Sequence, residues 1–582
     1  MKREAVTEYA ADFETNTSEE GCANNPVWAW GVALVGNDTD VSFVTGVSIE
    51  SFIDYTLQNP GRYWFHNAGF DTKFIISYLL RSGYIFTDAK NLGEMQFTLL
   101  MDSLGKFYHM AYSDGLTTVE VADSFKKFPM TIAKVAGAYG LEMTKGEIDY
   151  QAYREPGHKL SAEEYDYLRR DVLILAKALA HRFELGHKLT TGADCLAALR
   201  DLFGNFQWKL KFPRLDSELD AILRKAYRGG YVYVNPKHVG KHLGEGGRID
   251  VNSLYPYVMH DRLLPVGKPL MQPGKPVVSA KYPLWISQIT FTAHLKPGKL
   301  PCIQIKGSMF FNAREYQSEI PEPVELTLTN VDWALINECY DVDVIGYGDT
   351  YYFQACQGLF EDYVNAGMVG KMNAKSPGER MNWKLWLNNA YGKYAQKIKV
   401  RGKIPMLDSD EIVHYVDSEE EERDPVYLPV GIFVTAWARD YTIRTALEFG
   451  DRFIYSDTDS IHFIGHEIPA DIRIDSKKLG YWDLEAAFAD CVCLRAKTYA
   501  EAEYYYDERG NLQVKPWAYT CAGMVEPLKK IMRIEDFHQG FTTDYEKCDS
   551  VPAIYRDKSK WKIVPKAVKG GVILVPRPFS IN

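Results

Sequence analysis

Two apolar runs, Arg452-Phe453-Ile454-Tyr455 and Ile461-His462-Phe463-Ile464, are separated by the polar stretch Ser456-Asp457-Thr458-Asp459-Ser460, a pattern that predicts a hairpin. Residues 6–15 read as a strand ending in Ala11-Asp12-Phe13-Glu14-Thr15. Trp64 to Asp71 leads into a helix over Thr72–Leu80, where Phe74, Ile75, Tyr78 and Leu79 recur at helical spacing. Ser161-Ala162-Glu163-Glu164 is a capping box that opens a helix running through Asp171 to Leu179. A linker-like stretch, 185–192, follows. Further on, Arg380, Lys384, Asn388 and Tyr391 fall three or four apart and make one polar and aromatic stripe on an otherwise apolar helix. Thr435-Ala436-Trp437-Ala438-Arg439 is expected to open the helix before the hairpin, and Lys497-Thr498-Tyr499 comes after it.

The strand period of two puts Asp457 and Asp459 on one face, where two unpaired carboxylates repel each other and call for a hard divalent cation. Asp12 and Glu14 repeat that arrangement. Asn67 and Asp71 stand together at a helix start, and Tyr167 and Asp171, four apart, share a helix face. Asp12, Glu14, Asp71 and Asp171 are thus able to meet around two metal ions, with Tyr167 orienting a water, a set suited to phosphodiester hydrolysis. Singly, each acid reads as a surface residue, and Asp-x-Asp also occurs in sugar-nucleotide transferases; the weight lies in the order of the pieces. His66 and Phe70 flank the acids and suit stacking of an unpaired 3′ end, against the alternative of helix-core packing. In Ile249-Asp250-Val251-Asn252-Ser253-Leu254-Tyr255-Pro256, an acid ends a strand before a tight turn and an aromatic. That gives a metal ligand, N–H donors for a triphosphate and a ring against a ribose 2′-OH. The glycines of Tyr227-Arg228-Gly229-Gly230 allow backbone to approach a phosphate chain.

A chain of 582 residues exceeds what one core organises, so several domains are expected. There is no run of about 18 uncharged apolar residues and no apolar signal core after Met1, which argues against a membrane span and against export. Nine cysteines without a Cys-x-x-Cys pair argue against a zinc ribbon or a disulfide framework, Cys491 and Cys493 read as core, and a reducing cytoplasm fits. The net charge of -10 conceals a segregation. Lys371 to Lys403 holds nine Lys or Arg against Glu379, and Asp408 to Asp424 nine acids against Arg423. A basic segment followed by an acidic one predicts a hairpin or arm with one phosphate-facing and one solvated surface.

Together these residues resemble family B DNA polymerases. Asp250-x-x-Ser253-Leu254-Tyr255-Pro256 looks like motif A, Lys384-x-x-x-Asn388-x-x-Tyr391-Gly392 like motif B, Tyr455-x-Asp457-Thr458-Asp459-Ser460 like motif C, and Lys497-x-Tyr499 like the primer-contacting motif. Tyr227-x-Gly229-Gly230 and the two extra segments make the chain most similar to the protein-primed branch of small tailed bacteriophages, the phi-twenty-nine type.

The resemblance implies a multidomain α/β fold: an RNase H-like 3′–5′ exonuclease domain (1–190), palm (191–261 and 429–531), a first insertion that docks a priming protein (262–359), fingers (360–398), a second insertion for a template tunnel and strand displacement (399–428), and thumb (532–582). It implies Mg²⁺, with Mn²⁺ as substitute, on Asp250, the Val251 carbonyl, Asp457 and Asp459, and on the four exonuclease acids, assisted by Lys145. Lys371, Arg380, Lys384 and Asn388 would face the incoming dNTP, with Tyr255 as sugar gate and Tyr391 stacking at the nascent pair. Thr15, His66, Asn67, Phe70, Tyr227, Gly229, Gly230, Thr435, Arg439, Lys497 and Tyr499 would contact DNA. The implied partners are primer-template DNA, dNTPs and a terminal priming protein, for a monomer replicating a linear phage-type genome in the host cytoplasm. Two departures stand out: Asn389 where the family usually has Ser, and Arg380 where it often has Lys, a planar fork in place of a point charge. The rivals are a stand-alone nuclease, whose motifs A and C would be degraded, and a non-catalytic replication scaffold. A reverse transcriptase would usually carry adjacent aspartates where Thr458 intervenes.

Overall fold

The computed structural model describes residues 6–36, 40–89, 91–141, 148–150, 152–305 and 316–581; Lys145 lies outside them. Three sheets organise these residues. The N-terminal sheet has eight strands, in the order Val44–Gly46, Val27–Leu34, Glu8–Thr15, Arg62–Phe65, Thr118–Asp123, Phe107–Asp114, Glu94–Met101 and Ile85–Phe86. Along Glu8–Thr15 the side chains alternate between two cores. Ala11 and Phe13 join Phe74, Ile75 and Leu79 of the Thr72–Arg81 helix, while Ala10 joins Trp64, Leu168 and Val172 on the side of the Ala162–Phe183 helix. That long helix begins with the predicted capping box: Glu164 N–H donates to Ser161 Oγ (3.1 Å) and Ser161 N–H to the Glu164 carboxylate (3.0 Å).

The central sheet runs Leu512–Val514, Thr498–Tyr506, Trp482–Arg495, Gly246–Val251, Ser460–Ile464, Phe453–Asp457 and Val232–Val234, with Ala518–Cys521 also paired to Thr498–Tyr506. The predicted hairpin is there, and Cys491 and Cys493 are buried in the Trp482–Arg495 strand. Behind the sheet lies the Leu428–Glu448 helix. It starts seven residues before Thr435, so Thr435 and Arg439 lie inside it rather than at its opening. Its signal was Pro429 in the first turn, a position proline favours, ahead of an apolar run with no side-chain cap.

Between the Leu254–Asp261 and Glu361–Asn373 helices the chain builds the third sheet, ordered Leu264–Pro273, Tyr340–Cys356, Leu284–Leu295 and Glu319–Thr329, with the helix Asn330–Cys339. The Pro377–Asn389 helix then packs on Glu361–Asn373. The charge-segregated segment forms a hairpin, Lys399–Leu407 with Val413–Glu422. Its register sets bases against acids, with Lys403 2.7 Å from Asp417 and Lys399 3.7 Å from Glu420. The expected separation into a basic and an acidic surface is therefore reduced by pairing across the ladder. A C-terminal hairpin, Lys562–Val568 with Gly571–Arg577, returns to the N-terminal unit, where Val568, Val572 and Ile573 share a core with Phe74 and Val413. Glu411 at the tip of the charged hairpin joins Lys569 (3.0 Å) and Arg81 (3.3 Å). No helix among the described residues is long and apolar enough to cross a membrane.

Candidate active sites

The Gly246–Val251 strand is the centre of one site. Asp250 stands opposite Ser460 on one side and Asp483 on the other, Asp457 is also paired with Ser460, and Val251 N–H donates to the Asp459 carbonyl (2.8 Å). These pairings bring Asp250, Asp457 and Asp459 to one end of the sheet from positions about 200 residues apart in sequence. Thr458 turns the hairpin at φ 67° and donates its N–H to the Tyr231 carbonyl (2.7 Å). A Cβ on Gly230 would lie 2.6 Å from Thr458 Cγ2, so only glycine lets the Tyr227–Gly230 loop rest on this turn.

Burial is the first cause, and Asp459 the second, of Asp250 being pushed from 3.8 to about 8; Glu485 adds to it and Lys384 opposes it. Asp459 rises to about 6, mainly from burial, with Asp457 and Glu485 adding and Lys384 again opposing. Glu485 escaped the sequence reading. Ile249 faces Leu484 and Arg248 faces Ala486, so Glu485 is the extra residue of a β-bulge, a device that re-aims side chains. Arg248 Nε holds it at 3.2 Å.

Across from these acids are the side chains of the Pro377–Asn389 helix. Lys371, Arg380 and Lys384 converge: burial, then the other two cations, hold the Lys371 ammonium below its usual range. Asn388 Oδ1 is buried without a partner, while Asn389 is exposed and donates back to the Leu385 carbonyl (2.7 Å). Tyr255 and Tyr391 stack on each other, centroids 3.9 Å apart. Lys497, exposed, lies 3.5 Å from Asp457, and the Tyr499 ring packs beside Tyr455 and His462.

Two expected DNA contacts are corrected by their burial. Thr435 is fully buried and donates to the Gly431 and Ile432 carbonyls of its own helix. Arg439, 3% exposed, forks onto Asp332 at 2.7 and 2.9 Å and donates to the Arg228 and Gly229 carbonyls (both 2.8 Å). A guanidinium so fully engaged positions the Tyr227–Gly230 loop instead of reaching a phosphate.

The second cluster lies in the N-terminal unit. Asp12 is pushed well above 3.8 by burial, then by Asp71, Glu14 and Asp171. Glu14 rises from 4.5 to about 8 through burial, then Asp171 and Asp71, with Arg154 opposing. Asp71, at the start of its helix, rises to about 7 and Asp171 to about 6, both chiefly from burial. The four expected acids therefore face one another. Arg154, a second residue the sequence reading passed over, is buried, held by the Asp149 and Ala152 carbonyls and by Glu164. The Tyr167 hydroxyl shares a 2.6 Å hydrogen bond with Tyr150 and interacts with Asp171. Thr15 follows a register shift at the end of its strand, and Asn67 is exposed at φ 64°. His66 departs from the expected stacking role, because its two ring nitrogens meet Ser124 Oγ (3.0 Å) and the Met130 carbonyl (2.7 Å). Phe70 is half-buried, edge-on to Phe74.

Both clusters fit divalent cations by the chemistry of their donors: buried, mutually repelling carboxylates whose protonation substitutes for a missing positive charge. Among the described residues no group of three or more His, Cys, Asp or Glu side chains is placed to hold a metal ion by itself. Magnesium needs none, since it takes one or two carboxylates and completes its shell with water and substrate phosphate.

The profile of the family "DNA polymerase type B, organellar and viral" matches residues 152–477. The chain is 38% identical to the DNA polymerase of Bacillus phage phi29 over 600 residues, covering all of both chains, and 37% identical to that of Bacillus phage Nf over 592 residues, covering 99% of each. In three dimensions it is similar to phi29 DNA polymerase complexed with primer-template DNA and incoming nucleotide, at a TM-score of 0.91 and 36% identity, covering 99% of this chain and 100% of that one. An exonuclease domain and a polymerase domain, the architecture read from the motifs, are thus present in one α/β chain. The protein belongs to the type B DNA polymerases, in their phi29-like branch, and its reaction is template-directed DNA synthesis.

Proposed function

We propose that this polymerase extends primers at Asp250 and Asp459, trims mispaired 3′ ends at Asp12, Glu14, Asp71 and Asp171, and begins synthesis on a hydroxyl of a terminal priming protein. The observation that carries the reading is the placement of Lys384, a cation of the Pro377–Asn389 helix, against both Asp250 and Asp459. A phosphate-binding group facing metal-binding acids is the arrangement needed to hold a triphosphate for attack.

Lys371, Arg380 and Lys384 bind the phosphates of the dNTP, and Asn388, with its unpartnered oxygen, takes a polar contact there. Tyr255, braced by Tyr391, fills the space a ribose 2′-OH would need. Asp250 and Asp459, with Asp457 and the Val251 carbonyl beside them, hold Mg²⁺, for which Mn²⁺ substitutes; Asp12, Glu14, Asp71 and Asp171 hold it in the second site. When bound, the ions supply Lewis-acid activation of the attacking oxygen and neutralise the leaving one. Lys497, Tyr499 and the Tyr227–Gly230 loop steady the primer strand. In the trimming site Thr15, Asn67 and Phe70 receive the frayed end, Tyr167 orients the water, and His66 acts by fixing the loop.

The segments 262–359 and 399–428 serve the functions the resemblance gave them, priming-protein docking and closure of a template tunnel. The contact of Glu411 with Lys569 and Arg81 supports closure, since it ties the charged hairpin to the C-terminal hairpin and the N-terminal unit. Processivity and strand displacement follow from a closed ring. Primer-template DNA and incoming nucleotides are the molecules held by the related phi29 polymerase. We assign the protein to the host cytoplasm as a monomer.

The test is extension with Mg²⁺ from a primer whose last base is mispaired. Removal of that base before extension is expected; extension that retains it would remove the trimming role, and no extension even of a fully paired primer would remove the assignment of synthesis to Asp250 and Asp459. Transfer of a nucleotide onto a co-purified priming protein tests initiation in the same way.

A further inference from the structure

Behind the synthetic site lies a concavity of about 340 Å³ that the reaction does not use, between the Leu254–Asp261 and Leu428–Glu448 helices and the loop 471–482. Of the three guanidiniums that line it, Arg444 is held by Asp440 and Glu338, whereas Arg262, with Asp440 nearby, and Arg473 make no ion pair within 4.0 Å among the described residues. Arg262 lies over the rings of Trp437 (5.3 Å) and Tyr257 (5.8 Å), and its Nε is buried without a hydrogen-bond partner. Arg473, exposed at the rim, lies over Tyr481 (5.9 Å). Three carboxylates also line the space: Glu448, Asp471 and Asp261, the last of which is paired with His260.

We infer that this concavity is a second, non-catalytic site for a nucleoside polyphosphate. The chemistry is complementary group by group. Unpaired guanidiniums match phosphate oxygens in a bidentate way, aromatic faces match a base, and free carboxylates accept from the exocyclic amine and ring N–H of a base. The volume is that of a small-molecule pocket, too small and too concave for a folded partner. The wall is also joined to the catalytic strand. Asn252 N–H donates to the Tyr481 carbonyl (2.9 Å), Gly480 N–H to the Asn252 carbonyl (3.0 Å), and Trp482 and Asp483 pair with Val251 and Asp250. A ligand bridging Arg262 and Arg473 clamps the loop to the helix and so braces the strand that carries Asp250.

The experiment is equilibrium binding of N-methylanthraniloyl-dGTP to the full chain in EDTA and without DNA, which disfavours the catalytic site. Fluorescence binding is expected to survive Lys371→Ala with Lys384→Ala, and to weaken at least about tenfold, some 1.4 kcal/mol, in Arg262→Ala with Arg473→Ala. Arg473→Ala alone, at an exposed position, serves as the variant that keeps its melting temperature, and should weaken binding in the same direction. Binding that vanishes with the two lysines, or that ignores both arginines, or that is undetectable at millimolar probe, overturns the proposal. Inorganic pyrophosphate competing as well as the base-bearing probe overturns the assignment to a nucleotide.

Discussion

The two acidic clusters are made of the same side chains and differ in what faces them. At the synthetic site Lys384 opposes the charge of both Asp250 and Asp459, and Arg248 steadies Glu485. At the N-terminal cluster, the proposed trimming site, Asp12, Glu14, Asp71 and Asp171 mainly face each other, with Arg154 easing only Glu14. Under the proposed assignment the difference reflects the substrates: a site that receives a triphosphate needs cations of its own, whereas one that receives a single phosphodiester would be completed by metal. Repelling carboxylates are therefore kept in the fold for binding, at some expense of stability.

The largest effect expected from this contrast is at Asp250. Asp250→Asn removes a metal ligand and should lower extension by at least about a hundredfold, yet raise the melting temperature in EDTA above about pH 8, where the buried carboxyl would otherwise be ionised. Unchanged extension in primer assays would take Asp250 out of the site. Lys384→Ala makes the synthetic cluster resemble the trimming one. The dNTP concentration needed for half-maximal extension should rise about tenfold, some 1.4 kcal/mol of lost phosphate contact, with no change for degradation.

A smaller effect concerns pH. Carboxyls whose folded pKa is raised contribute stability that is fully present below their unfolded values near 4 and is lost as pH rises through the folded ones, here about 6 to 8. Without metal the melting temperature should thus fall between about pH 4 and 8, and millimolar Mg²⁺ should restore it. A rising curve in EDTA would contradict the repulsion. The smallest effect is expected at the departure from the family pattern: Asn389→Ser should change the extension rate less than about twofold, since Asn389 is exposed and bonded to its own helix.

Local periodicity carried much of this molecule. The hairpin at 453–464, the helix from Thr72 and the capping box at Ser161 depend on near neighbours, and they are where the pattern put them. What escaped depends on partners distant in sequence. Glu485 has no motif, and its aim is set by a bulge against Arg248 and Ile249, more than 230 residues away. Arg439 looked like a phosphate contact until its partner, Asp332 in the inserted sheet unit, was in place. Likewise the charge runs around 400 and 420 foretold a hairpin, but only the register revealed that lysines and acids oppose each other.

Synthesis and trimming in two places is tested most directly on one labelled primer-template, read for both longer and shorter products. Asp459→Ala should lose extension and keep 3′–5′ degradation, while Asp12→Ala with Asp71→Ala should lose degradation and keep extension. Loss of both activities in either variant, with folding intact, would contradict two independent sites.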